Sequence, residues 1–331
     1  MDALYAASVH SFFSNEDSSL THRISGITRM CILILCVNLV AITHTALPTP
    51  ELYWKSTLPT TPMPRSITDL LHRPVHAGKS GVPVFNTARR FSKCYGIPGH
   101  CLFETKPQDN PNTDLFFLEK DLKSGHNMKF LFTTQSSNQA SFLPRDVVKS
   151  IPFSSSKMAD ILNKFAAKPG SIKAEVMENT IEVCEESGIK GEEKYCATSL
   201  ESMLDFTILR LGRNVQALST EVMKKTETKK QQYTITNGVK KVGGANLVVC
   251  HKLNYVYAVF YCHKIENTVA YTVSLEGADG SRVKAVSVCH RDTSQWYPKH
   301  LAFQMLKVKP GSVPICHFLY EDTVAWVPKQ N

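Results

Sequence analysis

Four Cys-His dipeptides and a later tryptophan form the most regular pattern of chemically active residues in the chain. The dipeptides are Cys250-His251, Cys262-His263, Cys289-His290 and Cys316-His317, and the tryptophan is Trp326. The gaps are ten, twenty-five and twenty-five residues between dipeptides, then eight residues to the tryptophan. Thiols form disulfides or bind metal ions as thiolates, and a neutral imidazole binds metal ions through a ring nitrogen. The pattern therefore predicts disulfide or metal chemistry in this region.

A Cys-His dipeptide on a β-strand directs its two side chains to opposite faces of the sheet, because neighbouring strand residues alternate. The residues that share the parity of Cys262 are Val256, Ala258 and Phe260. Those that share the parity of His263 are Tyr255, Tyr257 and Tyr261. We therefore expect sulfur on an apolar, core-like face and imidazole on an aromatic, polar one.

Two arrangements of the dipeptides are compatible with this spacing, and a third interpretation involves no metal. In the first, the four cysteines form two disulfides and the four imidazoles gather around one or two metal ions. In the second, thiolates and imidazoles hold a metal together, although the closely spaced cysteines typical of structural zinc sites are absent from the sequence. In the third, disulfides and surface histidines are purely structural. An oxidising compartment favours the first arrangement, and an imidazole-rich site there suits copper.

Residues 1–46 are interpreted as an N-terminal extension with a signal peptide. An apolar run over residues 30–41 has the length of a signal-peptide core and is too short to span a bilayer. Cleavage is expected near Thr43 or Ala46, and the other interpretation of the run is a buried core helix. No eighteen-residue apolar span occurs elsewhere, so we expect no membrane span in the mature protein.

The cysteine count agrees with secretion. Two of the ten cysteines, Cys31 and Cys36, precede the expected cleavage, so eight remain, an even number that suits a disulfide-bonded protein. Localisation is therefore predicted in the secretory pathway, with the vacuole, apoplast or cell wall as destination.

Residues 47–113 are interpreted as a proline-rich segment and linker. Five prolines from Pro48 to Pro64 favour extended backbone over a packed domain. Cys94 and Cys101 follow in a stretch that contains glycine and proline, and a local disulfide between them is geometrically reasonable.

Residues 114–328 are interpreted as one β-rich α+β domain whose antiparallel strands bring the dipeptides to one centre. Strands are predicted over residues 247–250, 255–263, 268–275, 283–289 and 301–308. Short helices are predicted over residues 161–167 and 199–208, and a hairpin-like strand pair around Ser124-Gly125. Cys184 and Cys196 are separated by eleven residues and are expected to form a disulfide.

Lysines are concentrated beside a predicted Asn237-Gly238 hairpin turn, in a chain whose formal net charge is +9. They are Lys224, Lys225, Lys229, Lys230, Lys240 and Lys241. Such a cluster can bind an acidic polymer such as pectin, although a solvated surface is the simpler explanation. Nucleic-acid binding is disfavoured because no recognised module occurs. A nucleophile elbow, phosphate loop and dinucleotide fingerprint are also absent, which leaves hydrolase and nucleotide-dependent functions without local support.

The dipeptide pattern closing on Trp326 resembles the BURP domain, a plant family defined by it. Further matching stretches are Tyr53-Trp54-Lys55, residues 115–122, Phe142-Leu143-Pro144-Arg145, Ile151-Pro152-Phe153-Ser154 and residues 184–206. The resemblance covers roughly residues 51–72 and 114–328 and is closest to the short seed-protein type.

The resemblance implies two functions. Some BURP proteins are copper-dependent peptide cyclases, which join a Trp or Tyr side chain of a ribosomal peptide to an unactivated carbon. By that resemblance His251, His263, His290 and His317 would ligate copper, and Tyr257, Tyr261 or Trp326 would line a peptide groove. Residues 47–113 contain no repeated core peptide, so the substrate would be a separate precursor. Other members resemble non-catalytic cell-wall or seed-development proteins, for which binding to anionic wall polymers is the expected activity.

Overall fold

The fold is described from a computed structural model. It describes residues 49–71, 115–132, 140–223, 230–244 and 246–329. The predicted signal peptide and the pair Cys94 and Cys101 lie outside these ranges.

Six of the seven described α-helices lie before residue 212, and ten of the thirteen described strands lie after residue 214. The helices are α1 Pro50–Thr57, α2 Arg65–Leu71, α3 Arg145–Lys149, α4 Met158–Lys164, α5 Ile172–Glu185, α6 Leu200–Leu211 and α7 Leu301–Leu306. The first strands are β1 Phe117–Leu118, β2 Asn127–Phe130, β3 Glu192–Ala197, β4 Val215–Leu218, β5 Glu221–Val222, β6 Gln231–Ile235 and β7 Lys240–Gly243. The remaining strands are β8 Val248–Leu253, β9 Val259–Ile265, β10 Thr268–Gly277, β11 Arg282–His290, β12 Ile315–Phe318 and β13 Val324–Pro328.

Within the described ranges the strands form two antiparallel sheets, which confirms a β-rich α+β fold. The first sheet has the order β1-β12-β11-β10-β6-β2, with β5 added to β11 and β7 to β10. The second has the order β3-β9-β8-β13-β4. Because β8 and β9 lie in the second sheet and β11 and β12 in the first, the Cys-His dipeptides are divided equally between the sheets.

The two sheets pack against each other through an aliphatic layer. Its buried members are Val242, Leu247, Val249, Ala270, Val286, Val288, Leu319, Ala325 and Val327. Gly243 allows β7 to approach β13 closely, since a Cβ atom there would lie 2.9 Å from Cγ1 of Val327. The outer face of the second sheet is covered by α1, α2 and α6, and the outer face of the first carries a cluster of phenylalanines.

The proline-rich segment is helical and packed, so the expectation of extended backbone is wrong over α1 and α2. Pro50 occupies the first turn of α1, where proline favours helix initiation, and Thr49 caps that helix. Pro59, Pro62 and Pro64 lie between α1 and α2. Burial of Trp54 and Ile67 in the second sheet's outer core explains the difference, because tertiary packing overrides local preference.

Three local predictions in the main domain are wrong. The strands on either side of Ser124-Gly125 do not form a hairpin, because β1 pairs with β12 and β2 pairs with β6. The strands on either side of Asn237-Gly238 both pair with β10 instead of with each other. Residues 301–306 form α7 instead of a strand, since the His300 side chain caps that helix by accepting from the Ala302 amide.

Other elements agree with their predictions. Helices α4 and α6 overlap the predicted ranges 161–167 and 199–208 with shifted ends, and the Ser199 side chain caps α6. Four of the five late strands are present with shifted ends, and the turn at residues 277–280 connects β10 to β11.

Candidate metal centre

The first two dipeptides form one two-strand unit on β8 and β9. Cys250 lies directly opposite Cys262 in the register, and their sulfurs form a disulfide with Cα atoms 3.9 Å apart. One residue further along each strand, His251 and His263 occupy diagonal positions on the opposite face. Their Nε2 atoms are 3.3 Å apart. The register therefore joins two imidazoles that are separated by twelve positions in the chain.

The last two dipeptides repeat this unit on β11 and β12. Cys289 lies directly opposite Cys316, and the two form a disulfide with Cα atoms 4.0 Å apart. His290 and His317 again occupy diagonal positions on the other face, with nearly parallel rings whose centroids are 5.6 Å apart. Each sheet therefore carries one cross-strand disulfide and one imidazole pair.

The disulfides exclude the mixed thiolate–imidazole arrangement for these residues in this structure. The sulfurs of Cys250 and Cys262 lie in the core beneath α6, and those of Cys289 and Cys316 lie in the phenylalanine cluster. Sulfur and imidazole thus leave each strand on opposite faces, as the alternation of strand residues predicts. The disulfide expected between Cys184 and Cys196 is also present, with Cα atoms 5.7 Å apart.

The hydrogen bonds of two rings determine which nitrogen carries the proton. Nδ1 of His263 lies 2.8 Å from a carboxylate oxygen of Glu192, and Nδ1 of His317 lies 3.2 Å from the Phe318 carbonyl oxygen. Both oxygens can only accept, so each Nδ1 donates. A neutral imidazole that donates from Nδ1 has its lone pair on Nε2, which is the state a metal ligand requires.

Glu192 is a site residue that the sequence analysis missed. Its side chain is fully buried, and it accepts hydrogen bonds from His263 and from the hydroxyl of Tyr261, which is 2.9 Å away. Burial would raise the pKa of Glu192, but these hydrogen bonds outweigh it and lower the pKa. Gly191-Glu192 gave no sequence signal, because only the register between β3 and β9 brings the carboxylate to the imidazole face.

Aromatic residues cover the second imidazole pair. Trp296 lies against His290 with ring centroids 5.1 Å apart, and Phe116 lies 6.2 Å from His317. His300, a further buried histidine that the sequence analysis missed, packs on Trp296 at 4.8 Å. Thr268 contacts Nδ1 of His290 at 3.1 Å. The second pair therefore lies in a largely apolar enclosure.

Burial favours the neutral form of His251, His290 and His317. Burial first, and then the proximity of the other three imidazoles, lowers the pKa of His251 well below its ordinary value. Burial and neighbouring histidines do the same to His290. Burial lowers the pKa of His317 to about 4, against a smaller opposing effect of its bond to the Phe318 carbonyl. Because His290 and His317 contribute to the lowered pKa of His251, the two imidazole pairs are close enough to interact electrostatically. A common centre for all four rings stays a prediction.

The first pair fits a metal ion in its donor chemistry and spacing. Two imidazole nitrogens that each lie about 2 Å from one ion are roughly 3 Å apart, and the two Nε2 atoms here are 3.3 Å apart. In the described part of the chain, no three His, Cys, Asp or Glu side chains form a closed ligand set. The spacing therefore suits two metal ligands, His251 and His263, with the second imidazole pair near them.

The residues expected to line a peptide groove occupy three different environments. Tyr261 lies on the imidazole face and donates to Glu192. Tyr257 is buried among Tyr255 and Phe165, at centroid distances of 4.9 and 6.0 Å. Trp326 is fully buried on the disulfide face of the second sheet. The contacts of Tyr257 and Trp326 are those of core residues, and a groove role for any of the three stays a prediction.

The lysine cluster is only partly described. Lys240 and Lys241 are exposed on β7, and Lys230 is half-buried. Lys224, Lys225 and Lys229 lie outside the described ranges. The exposed pair leaves a basic edge on the first sheet.

Comparison with known proteins gives a consistent match. The BURP domain family model matches residues 115–328. BURP domain protein RD22 of Arabidopsis thaliana is 47% identical over 255 residues, covering 76% of this chain and 65% of that protein. BURP domain-containing protein 5 of Oryza sativa subsp. japonica is 44% identical over 292 residues, covering 86% of this chain and 88% of that protein. BURP domain-containing protein 3 of the same rice is 48% identical, and the chain spans 54% of its length.

Among the described residues, no helix is both long and apolar enough to cross a bilayer.

Proposed function

Because the chain belongs to the BURP-domain family, we propose that it is a secreted copper-dependent peptide cyclase. Its substrate is a Trp- or Tyr-containing ribosomal peptide supplied by a separate precursor. The observation that carries the proposal is the first imidazole pair, with its two Nε2 atoms 3.3 Å apart and His263 held by Glu192. The three disulfides support residence in an oxidising compartment.

The residues that would hold copper are His251 and His263, with His290 and His317 completing or adding to the site. Copper, when bound, supplies one-electron redox chemistry with dioxygen. Burial disfavours the imidazolium form of His251 and His290, so these rings would bind copper as neutral imidazoles.

The overall reaction removes two hydrogen atoms from the peptide and forms one new bond. A C–H bond of the unactivated carbon and an N–H, O–H or C–H bond of the aromatic side chain break, and the two atoms join. The two electrons and two protons pass to dioxygen, which leaves as hydrogen peroxide. Around the second pair, Phe116, Trp296 and His300 exclude water, which suppresses competing reactions of reactive species.

The peptide is expected to approach from the side of His317. His317 is half-buried as a residue, although its Nε2 atom is covered, whereas the other three dipeptide histidines are almost fully covered.

The test combines metal analysis with product analysis. The full chain is purified from a secretory host, loaded with copper(II), and incubated with dioxygen and candidate precursor peptides that contain Trp or Tyr. We expect bound copper and a product that has lost two hydrogen atoms. The His263→Ala variant should bind no copper and form no product. His126 lies outside the site, so the His126→Ala variant should still bind copper and form the product. A folded wild-type chain that binds no copper would contradict the proposal, as would equal product from His263→Ala.

The exposed lysines favour a second candidate function, binding to anionic wall polymers without catalysis. Lys240 and Lys241 point a positive edge toward solvent in a chain of formal net charge +9. Under this alternative the wild type binds pectate and Lys240→Glu/Lys241→Glu binds less, with the difference shrinking at high salt. Copper-free folded protein that retains pectate binding would favour this function over the first.

A further inference from the structure

A buried carboxylate on the edge strand β3 contacts the first imidazole pair. Glu192 lies opposite Ile265 in the register, which places it diagonal to His263 on the imidazole face. One oxygen accepts from Nδ1 of His263 at 2.8 Å and from the Tyr261 hydroxyl at 2.9 Å. The other oxygen accepts from the Ile189 amide at 3.1 Å. Each carboxylate oxygen therefore accepts at least one hydrogen bond from a neighbouring donor.

The loop before β3 is shaped around this carboxylate. A Cβ atom on Gly188 would lie 3.0 Å from the oxygen that accepts from Ile189, so a side chain at that position would press on it. An isolated carboxylate that is removed from water is costly unless hydrogen bonds replace its hydration. Hydrogen bonds replace the hydration of the Glu192 carboxylate, and one of them comes from His263, the ring that faces His251.

We propose that Glu192 is the positioning residue of the first imidazole pair: it holds His263 in the tautomer whose Nε2 is unprotonated and directs that atom toward Nε2 of His251. This inference rests on the metal-binding part of the proposed function. Carboxylates that accept from the second nitrogen of a ligating histidine fix both the tautomer and the ring orientation. Nothing in the sequence pattern of the dipeptides assigns such a role to Glu192.

The neighbouring Glu193 provides a matched control. It has the same side chain one position further along β3, but it is 54% exposed and forms ion pairs with Arg210 and Lys264 at 3.2 and 3.8 Å. Removing its charge changes the electrostatics of the strand without touching the imidazole pair.

Glutamine cannot replace the carboxylate at position 192. Its amide presents one acceptor and one donor, whereas the site offers donors on both sides of the group. If the amide oxygen faces His263, the NH₂ group meets the Ile189 amide; in the flipped orientation the NH₂ group meets His263. Either orientation therefore places two hydrogen-bond donors against each other and weakens the interaction that orients the His263 ring.

The first experiment uses the metal-free full chain, so its result does not depend on copper binding. Long-range ¹H–¹⁵N spectra report which nitrogen of a histidine carries the proton. We expect His263 to be protonated on Nδ1 in the wild type and in Glu193→Gln, and to lose this preference in Glu192→Gln. Tyr261→Phe, which removes the other donor to the same oxygen, should retain it.

The second experiment titrates copper(II) into the same four proteins. Loss of such an outer contact typically weakens metal binding about 10–100-fold, and we expect that loss for Glu192→Gln but not for Glu193→Gln. Circular dichroism and the unfolding midpoint check that each variant is folded, and Glu192→Asp serves as a second variant if glutamine prevents folding. An aspartate that shortens the reach by one methylene should also shift the tautomer.

The outcomes separate the two proposals. Unchanged His263 tautomer and unchanged copper affinity in folded Glu192→Gln would overturn the role of Glu192. A wild type that binds no copper, but whose His263 tautomer responds to Glu192→Gln, would overturn the proposed cyclase function and leave the positioning role standing. Equal effects of Glu192→Gln and Glu193→Gln would show a general charge effect and would also overturn it.

Discussion

Trp54 and Trp326 pack against each other with ring centroids 5.3 Å apart, although they lie near opposite ends of the described chain. The contact joins the N-terminal helix α1 to the last strand, β13. Trp54 also donates from its indole nitrogen to the Thr61 carbonyl, and Thr61 in turn donates to the Val215 carbonyl on β4. The tryptophan that ends the dipeptide pattern therefore anchors residues 49–71 to the second sheet.

Trp54→Ala is expected to destabilise the protein by about 3–5 kcal/mol, the range for truncation of a buried aromatic residue. Leu52→Ala on the same helix is the control, because Leu52 is 55% exposed, and should change the free energy of unfolding by less than about 0.5 kcal/mol. Denaturant unfolding measures both. Equal stability of Trp54→Ala and the wild type would mean that α1 is dispensable to the domain.

Replacing Cys250 and Cys262 together by alanine is expected to lower the free energy of unfolding by about 3 kcal/mol, since the disulfide restricts the unfolded chain. It should also weaken copper binding, because this disulfide fixes the register that sets His251 against His263. The matched control removes Cys184 and Cys196, whose sequence separation of 12 is the same. That variant should lose similar stability but keep more of its copper affinity. Identical copper affinities for the two variants would contradict the positioning role.

The metal-free protein is expected to gain stability as the pH rises from about 4 to 6.5. An unfolded histidine takes up a proton below about pH 6.5, whereas burial lowers the pKa of His300 to about 4 in the folded protein. Between these values the unfolded state binds more protons, so the free energy of unfolding increases with pH. Above the upper value this contribution is fully present, and it is lost as the pH falls toward the lower one.

His300→Asn tests this contribution while keeping a residue that caps α7 well. The variant should show a smaller rise in unfolding free energy between pH 4 and 6.5, by about 3 kcal/mol for the single group whose pKa falls from 6.5 to about 4. Urea titrations at several pH values measure the slope, and data above pH 7 serve as the internal reference. An unchanged slope would mean that His300 is protonated equally in both states.

His251 and His263 are expected to act as one unit in metal binding. His251→Gln and His263→Gln should each remove most of the copper affinity, and the double substitution should cost little more, because a single remaining imidazole cannot close the pair. His126→Gln is the control for an unrelated histidine. Copper titration of the wild type, the two single variants and the double variant completes a double-mutant cycle. Additive losses of copper-binding free energy would mean that the two rings bind copper independently.

The alternation of side chains along a strand was enough to predict that the sulfur and the imidazole of a dipeptide lie on opposite faces of the sheet. Cys262 and His263 had to leave opposite faces wherever that strand lay, and the structure confirms it. The disulfide between Cys184 and Cys196 followed from proximity in the chain. These inferences used only local geometry, which the sequence carries directly.

Features that depend on register and long-range packing were not predictable. The distance from Glu192 to His263 depends on how β3 aligns with β9, and no residue type near Glu192 encodes that alignment. The helical state of residues 50–57 depends on burial of Trp54 against a strand more than two hundred residues away. Helix α7 replaced a predicted strand because His300, an unusual helix cap, supplies the initiating hydrogen bond.

The cross-strand position of the two dipeptide disulfides has a consequence for how the protein matures. Cys250 faces Cys262, and Cys289 faces Cys316, so each bond fastens two neighbouring strands at the step next to a histidine pair. If the protein is secreted and binds copper as proposed, thiol oxidation precedes metal uptake and takes place in the compartment that oxidises exported proteins. A chain synthesised in a reducing cytosol would lack both of these disulfides when it met copper. Heterologous production should therefore be directed through an export route.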